Sequence, residues 1–228
     1  MTDLTERPFA PDLTPRQAVD GLLDQYAAFA DLIGGLSREE LDAPTRCAAW
    51  AVRDVAAHVL GGAADTVALT IGTRSPDEQA AALRDTPDLA AALREAVAGL
   101  KPLLAGAEAA WEQPIPAVRR TLGDGVRVLW YDTYVHDDDV RVATGRPSDR
   151  GPGLTASVAW MDGELRSRGW GPAVLDLPGF GQRRYGDPAP GVTPVRADPL
   201  EFLLTAAGRR DPALLGLDEK VNIHRAAR

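Results

Sequence analysis

The sequence predicts a mainly α-helical protein with a small α+β part, built as an antiparallel four-helix bundle followed by a small C-terminal domain. Four long stretches with apolar residues at helical spacing occupy about the first two-thirds of the 228 residues. After Pro147, short apolar runs separated by glycine and proline replace that pattern. Because long helices joined by short connections pack as antiparallel neighbours, we expect the bundle over residues 1–147 and the α+β domain over residues 148–228.

Capping and helix-breaking residues predict where the long helices begin and end. Thr14 is a capping residue followed by proline at the first helical position, and Gly34-Gly35 ends that helix. Asp88 caps the third long helix, in which Pro102 should produce a kink or a restart. The expected long helices cover residues 15–34, about 52–71, 89 to the break at 102, and about 124–143.

Shorter elements are predicted for the connections and for the C-terminal domain. Ser37 begins a capping-box pattern that predicts a short helix, and Ser75-Pro76 opens another. Pro194 restricts the last predicted strand to a sheet edge or a loop, because proline has no N–H to donate. In the C-terminal domain we expect a helix to about residue 168, strands at 173–177, 181–185 and 192–195, and a helix from Asp198-Pro199 to Gly208.

Charge and cysteine content exclude several functional classes. The net charge of −8 and the pI near 4.9 argue against a nucleic-acid-binding surface and against binding to anionic membranes. The N-terminus lacks the apolar segment of a signal peptide, and Arg53, Asp54 and Asp65 interrupt the most apolar helix, which therefore cannot span a membrane. The single cysteine, Cys47, precludes an intrachain disulfide and fits a reducing cytoplasm. The oligomeric state stays open.

Two of the three histidines lie in predicted long helices and suggest a metal site. Asp132 and His136 are four residues apart and therefore project from one helix face. His58, from another helix, would complete a set of two histidines and one carboxylate, whose open position suits a catalytic divalent ion such as zinc. Asp139 shares the His136 face and either orients its imidazole or is a surface charge. The alternative is that Asp132 and His136 form a solvated pair and that His58 is a hydrogen-bonded core residue.

Three segments resemble a known family. Residues 45–58 (T-R-C-A-A-W-A-V-R-D-V-A-A-H) resemble the signature of the mycothiol-dependent maleylpyruvate isomerases, a branch of the DinB/YfiT-like metal-binding helical bundles. Residues 136–147 (H-D-D-D-V-R-V-A-T-G-R-P) resemble that family's second histidine segment. Residues 198–209 are similar to its C-terminal element, an apolar helix followed by Gly-Arg. The segments occur in the family's order.

The resemblance implies both a ligand set and a reaction class. His58 and His136 fall on the family's metal histidines, and Asp132 falls where the isomerase pattern has glutamate. Arg209 falls on the Gly-Arg element and is the candidate for binding an anionic substrate. The implied cofactor is a divalent metal, zinc, with the low-molecular-weight thiol mycothiol as co-substrate. The implied reaction is isomerisation or S-transfer on a small electrophile.

Two other functions stay open on the sequence, and so do the roles of three further residues. The same fold could hold a hydrolase with water at the open position, or a non-catalytic metal-binding or sensor protein. Cys47 is expected to be a small buried residue rather than a fourth ligand or a reactive thiol. Trp50 is expected to pack at the start of the second long helix, and His224 to lie at the surface.

Overall fold

The computed structural model describes residues 13–47, 49–116 and 119–224 and is mainly helical, as the sequence predicted. Its helices are α1 (Pro15–Gly34), α2 (Arg38–Leu41), α3 (Val52–Val67), α4 (Pro76–Leu83), α5 (Leu89–Leu104), α6 (Leu122–Ala143), α7 (Pro152–Ser167) and α8 (Pro199–Ala206). Its strands are β1 (Pro114–Ile115), β2 (Arg120–Thr121), β3 (Ala173–Leu177), β4 (Gly181–Tyr185) and β5 (Val195–Arg196). The described residues form two compact units, Leu13–Gly153 and the part of the chain from Leu154 onward.

The first unit is a four-helix bundle. Helix α1 packs against α5 and α6, and α3 packs against the same two helices, so the four long helices enclose one core. Helix α4 packs on α3. Fully buried side chains from all four long helices fill the interior: Leu22, Tyr26, Phe29, Val55, Leu93, Leu100 and Tyr134. This arrangement fixes the faces of α3 and α6 that carry His58 and His136.

Helices α1 and α6 approach each other closely at one glycine. A Cβ atom added to Gly21 would lie 2.0 Å from the ring of Trp130, far inside any van der Waals contact. Trp130 is 4% exposed, so its ring is packed between the helices and has little room to move away. Glycine at position 21 is therefore what lets α6 lie against α1.

Most of the predicted helix ends agree with the structure, and three differ for local reasons. Helix α6 starts at Leu122 rather than near Asp124, because Thr121 caps it and forms reciprocal hydrogen bonds with Asp124. Helix α3 ends at Val67, because Leu69 adopts a left-handed conformation with φ of 57° and closes the helix where glycine is usual. Helix α5 continues through Pro102 and ends shortly afterwards, so the missing N–H falls in its last turn.

The second unit contains α7, α8 and a three-stranded sheet in the order β4-β3-β5. Strands β3 and β4 have the predicted ranges and pair as an antiparallel hairpin, whereas β5 pairs with β3 in parallel. Strand β5 is Val195–Arg196 rather than 192–195, because Pro194 cannot donate to the ladder. Within the described residues, no helix is long and apolar enough to cross a membrane.

Candidate metal centre

The structure brings His58, Asp132 and His136 together between α3 and α6. The Nε2 atom of His58 lies 3.2 Å from one carboxylate oxygen of Asp132, and Nε2 of His136 lies 3.6 Å from the other. The two imidazole rings meet edge to face, with centroids 4.9 Å apart. Both histidines are buried, whereas the Asp132 side chain is 36% exposed. The three potential ligand atoms lie within 4.8 Å of one another.

The other nitrogen of each imidazole is held by a different partner. Nδ1 of His58 lies 2.8 Å from Oε1 of Gln79, and Nδ1 of His136 lies 3.1 Å from a carboxylate oxygen of Asp139. An amide or carboxylate oxygen only accepts hydrogen bonds, so each Nδ1 carries the hydrogen. In a neutral ring, the lone pair on each Nε2 then faces Asp132. Asp139 is buried against the imidazole of His136, and its role in orienting that ring stays a prediction.

Gln79 reaches His58 because α3 has a glycine facing it. A Cβ atom on Gly61 would lie 2.7 Å from the Cβ of Gln79, so any larger residue there would displace α4 or the glutamine. Gln79 belongs to α4 and is 8% exposed. No sequence spacing marked it, because it is 21 residues from His58 and on another helix.

Two residues that precede α3, Arg46 and Cys47, form hydrogen bonds with aspartates of α6 that follow His136. Arg46 donates to Asp138 over 2.6 Å and to Asp139 over 2.9 Å. The thiol of Cys47 donates to Asp139 over 3.1 Å and lies 4.0 Å from Nδ1 of His136. Cys47 is half-buried rather than buried, and it stands on the Nδ1 side of the ring, whereas Asp132 stands on the Nε2 side. Cys47 is therefore not a fourth member of the His58, Asp132 and His136 set.

The indole of Trp50 covers both imidazoles. Its ring centroid lies 5.2 Å from that of His58 and 6.0 Å from that of His136, and its Nε1 donates to Asp77 over 2.9 Å. Trp50 precedes α3, as expected, but its contact with the histidines was not evident from the sequence. The ring restricts the rotation of both imidazoles and shields them from solvent on one side.

The remaining candidate residues are Asp54 on α3, and Arg209 and His224 in the second unit. Asp54 accepts from the N–H of Ala51 and pairs with Arg84, so it caps α3. Arg209 follows α8 in the second unit and donates to the carbonyl of Ala207 over 2.7 Å, and its role in substrate binding stays a prediction. His224 is exposed, as expected.

The chain is similar to known proteins in sequence and in fold. Residues 22–141 match the family model described as the mycothiol maleylpyruvate isomerase N-terminal domain. Uncharacterized proteins from two Mycobacterium tuberculosis strains, CDC 1551 and H37Rv, are each 31% identical over 131 residues, covering 56% of this chain and 67% of theirs.

Two solved structures share the fold: the mycothiol-dependent maleylpyruvate isomerase and a mutant of it. Their TM-scores are 0.60 and 0.62 at 20% sequence identity, and the match covers 87% of this chain and 91% of each of theirs. The structural match extends over both units, whereas the family model covers the bundle. Because that model spans more than half of the chain, this protein belongs to the family of the mycothiol maleylpyruvate isomerase N-terminal domain.

Proposed function

We propose that the protein is a divalent-metal-dependent enzyme that uses a low-molecular-weight thiol, mycothiol, for isomerisation or S-transfer on a small electrophile. The observation that carries the proposal is the convergence of two histidine Nε2 atoms on the carboxylate of Asp132. The family assignment supports the thiol, and zinc is the metal that we propose because it accepts mixed nitrogen and oxygen ligands. The proposal places the enzyme in the cytoplasm, where thiols are kept reduced.

The residues at the site fit a small divalent ion. Zinc bonds of about 2.0–2.2 Å place tetrahedral ligand atoms roughly 3.3–3.6 Å apart. Nε2 of His58 lies 3.2 Å from one oxygen of Asp132, and Nε2 of His136 lies 3.6 Å from the other oxygen, so both contacts are close to that range. With both imidazoles neutral, each Nε2 presents a lone pair to a carboxylate that also only accepts, and a cation between them would satisfy all three groups.

The chain's own residues would orient the ion and leave room for a co-substrate. His58, His136 and Asp132 would supply three ligands, so one position would stay open, as in catalytic rather than structural sites. When bound, the ion would supply a positive charge that lowers the pKa of a thiol at the open position. Gln79 and Asp139 hold the two imidazoles in place, and Trp50 covers one side.

Substrate binding would involve a cation, because an isomerase of this kind must hold an anionic substrate. Arg209 is our candidate, since a guanidinium can form two parallel hydrogen bonds with a carboxylate. The neighbouring Arg210 is paired with Glu201 over 2.5 Å. Arg209 is the candidate because it falls on the Gly-Arg element of the family resemblance, and the electrophile is to be identified by experiment.

The thiol proposal is tested by adding mycothiol to the metal-loaded protein. We expect one proton to be released on binding, because a thiol that coordinates a metal loses its proton. Protein loaded with cobalt should show a sulfur-to-metal charge-transfer band on addition of mycothiol. Mycothiol with its sulfur methylated is the matched control and should give neither signal. If no thiol gives proton release or a band, the thiol-dependent function is wrong, and a hydrolase or a sensor becomes the better hypothesis.

The carboxylate at position 132 is tested separately, because the isomerase pattern has glutamate there. We expect Asp132→Ala to weaken metal affinity about 10-fold or more, a size that even outer-shell changes can reach. Asp132→Glu should keep or improve the affinity, since it restores the usual side chain. Competition with a chelator measures both values. An Asp132→Ala protein with unchanged affinity would assign the carboxylate role to another residue.

A further inference from the structure

A series of buried hydrogen bonds extends from His58 away from the candidate metal centre. Oε1 of Gln79 accepts from Nδ1 of His58 over 2.8 Å, and Nε2 of Gln79 donates to Asp65 over 2.7 Å. Asp65 in turn accepts from Arg74. Asp65 is 4% exposed and Gln79 8% exposed, so water competes little for these bonds. The series joins α3 to α4 and to the segment between them.

The order of donors and acceptors in this series is determined at its far end. A carboxylate can only accept, so Asp65 requires Gln79 to present its NH₂ group. The amide oxygen of Gln79 must then face His58, and an oxygen there requires a hydrogen on Nδ1. The neutral imidazole therefore has its lone pair on Nε2, the atom that faces Asp132.

Asp65 is suited to this role because it stays ionised. Burial alone would raise the pKa of its carboxyl group, but the hydrogen bonds from Arg74 and Gln79 more than offset that effect and lower the pKa below its usual value. The carboxylate is thus an acceptor throughout the neutral range.

We propose that Asp65 is a positioning residue: without touching His58, it fixes the tautomer of that histidine through the amide of Gln79. Metal-ligating histidines commonly have such a partner on their second nitrogen, but here a carboxylate acts at one remove through a neutral amide. The inference rests on the proposed function only where it concerns metal affinity. The tautomer itself is a property of the chain without metal.

Asp65→Asn tests the inference because it changes only which groups donate. The carbonyl of the asparagine should stay on Arg74, so its NH₂ group faces Gln79. The Gln79 amide should then turn over and donate to Nδ1 of His58, which moves the imidazole hydrogen to Nε2. We expect ¹⁵N NMR of the metal-free variant, at a pH where the ring is neutral, to show this change. Metal affinity should fall about 10- to 100-fold.

Gln79→Met is the second variant, because it leaves the ion pair between Asp65 and Arg74 in place. It removes the acceptor for Nδ1, so the enforced tautomer should be lost and metal affinity should again fall about 10-fold or more. Gln25→Met is its matched control. Gln25 is also 8% exposed, but it lies on α1 with its side-chain oxygen beside Gly153. That variant should keep both the native tautomer and the native affinity.

Asp54→Asn is the matched control for Asp65→Asn. Asp54 lies on the same helix, is 5% exposed and also pairs with an arginine, Arg84, but it accepts its hydrogen bond from the N–H of Ala51 rather than from Gln79. The Asp54→Asn variant should be less stable than the native protein but should keep the native tautomer of His58.

Persistence of the Nδ1–H tautomer in both Asp65→Asn and Gln79→Met would overturn the inference, as would an Nε2–H tautomer in the native protein. Failure of the native protein to bind any metal would overturn the proposed function instead, and the tautomer measurement would still decide the inference.

Discussion

Replacing either histidine by alanine is expected to abolish stable binding of the divalent ion. His58→Ala and His136→Ala each remove one of three proposed ligands, and the remaining two leave the ion largely to water. Substitution of a residue that only contacts a metal ligand lowers metal affinity about 10- to 100-fold. Loss of a ligand itself should therefore lower the affinity more than about 100-fold. Elemental analysis after dialysis should find about one ion per native chain and close to none in either variant.

His224→Ala is the control for these variants. His224 is exposed and lies in the second unit, so its removal should leave the metal content unchanged. Circular dichroism should show native helix content in all three variants, which separates loss of a ligand from unfolding. A His58→Ala or His136→Ala protein that keeps the full metal content would show that the ion binds elsewhere.

The bundle could be predicted because its signals are local. Capping side chains, such as Thr14 hydrogen-bonded to the N–H of Gln17, mark helix starts in the sequence itself. The C-terminal ends of the helices were harder to predict. A left-handed residue that closes a helix is usually glycine, but at the end of α3 it is Leu69. The short pairing of β1 with β2 was missed because strands of two residues have no periodicity.

The three central site residues could also be predicted, since two of them share a helix face at a spacing of four residues. The residues that surround these three could not be predicted. Gln79 and Arg46 reach the histidines or their partners across 21 and more residues, and such contacts depend on how helices pack. Asp137, Asp138 and Asp139 are consecutive helical residues and therefore point in different directions. In the structure Asp137 pairs with Arg141, whereas Asp138 and Asp139 both bind Arg46.

Arg46 pairs with two buried aspartates of α6, so its loss is expected to destabilise the bundle. Asp138 is 1% exposed and Asp139 is fully buried, while the side chain of Arg46 is 21% exposed. One oxygen of Asp138 has no hydrogen-bond partner among the described residues, so this carboxylate depends on the guanidinium at its other oxygen. Burial already raises the pKa of the adjacent Asp137, despite its pairing with Arg141. A further buried negative charge without a counterion next to Asp137 would lower the free energy of unfolding.

Arg46→Met is therefore expected to lower the free energy of unfolding by about 3 kcal/mol. This value is at the lower end of the range for removing one partner of a buried ion pair. The matched control is Arg53→Met. The Arg53 side chain is equally buried, at 22% exposure, but its partner Asp42 is 56% exposed, so the loss should be below about 1 kcal/mol. Urea denaturation of the full chain measures both changes. Adding Asp138→Asn to Arg46→Met should restore part of the loss, because it removes one of the two buried negative charges that Arg46 contacts in the native protein. Equal destabilisation by the two arginine variants, or no recovery in the double variant, would show that Arg46 acts through packing rather than charge.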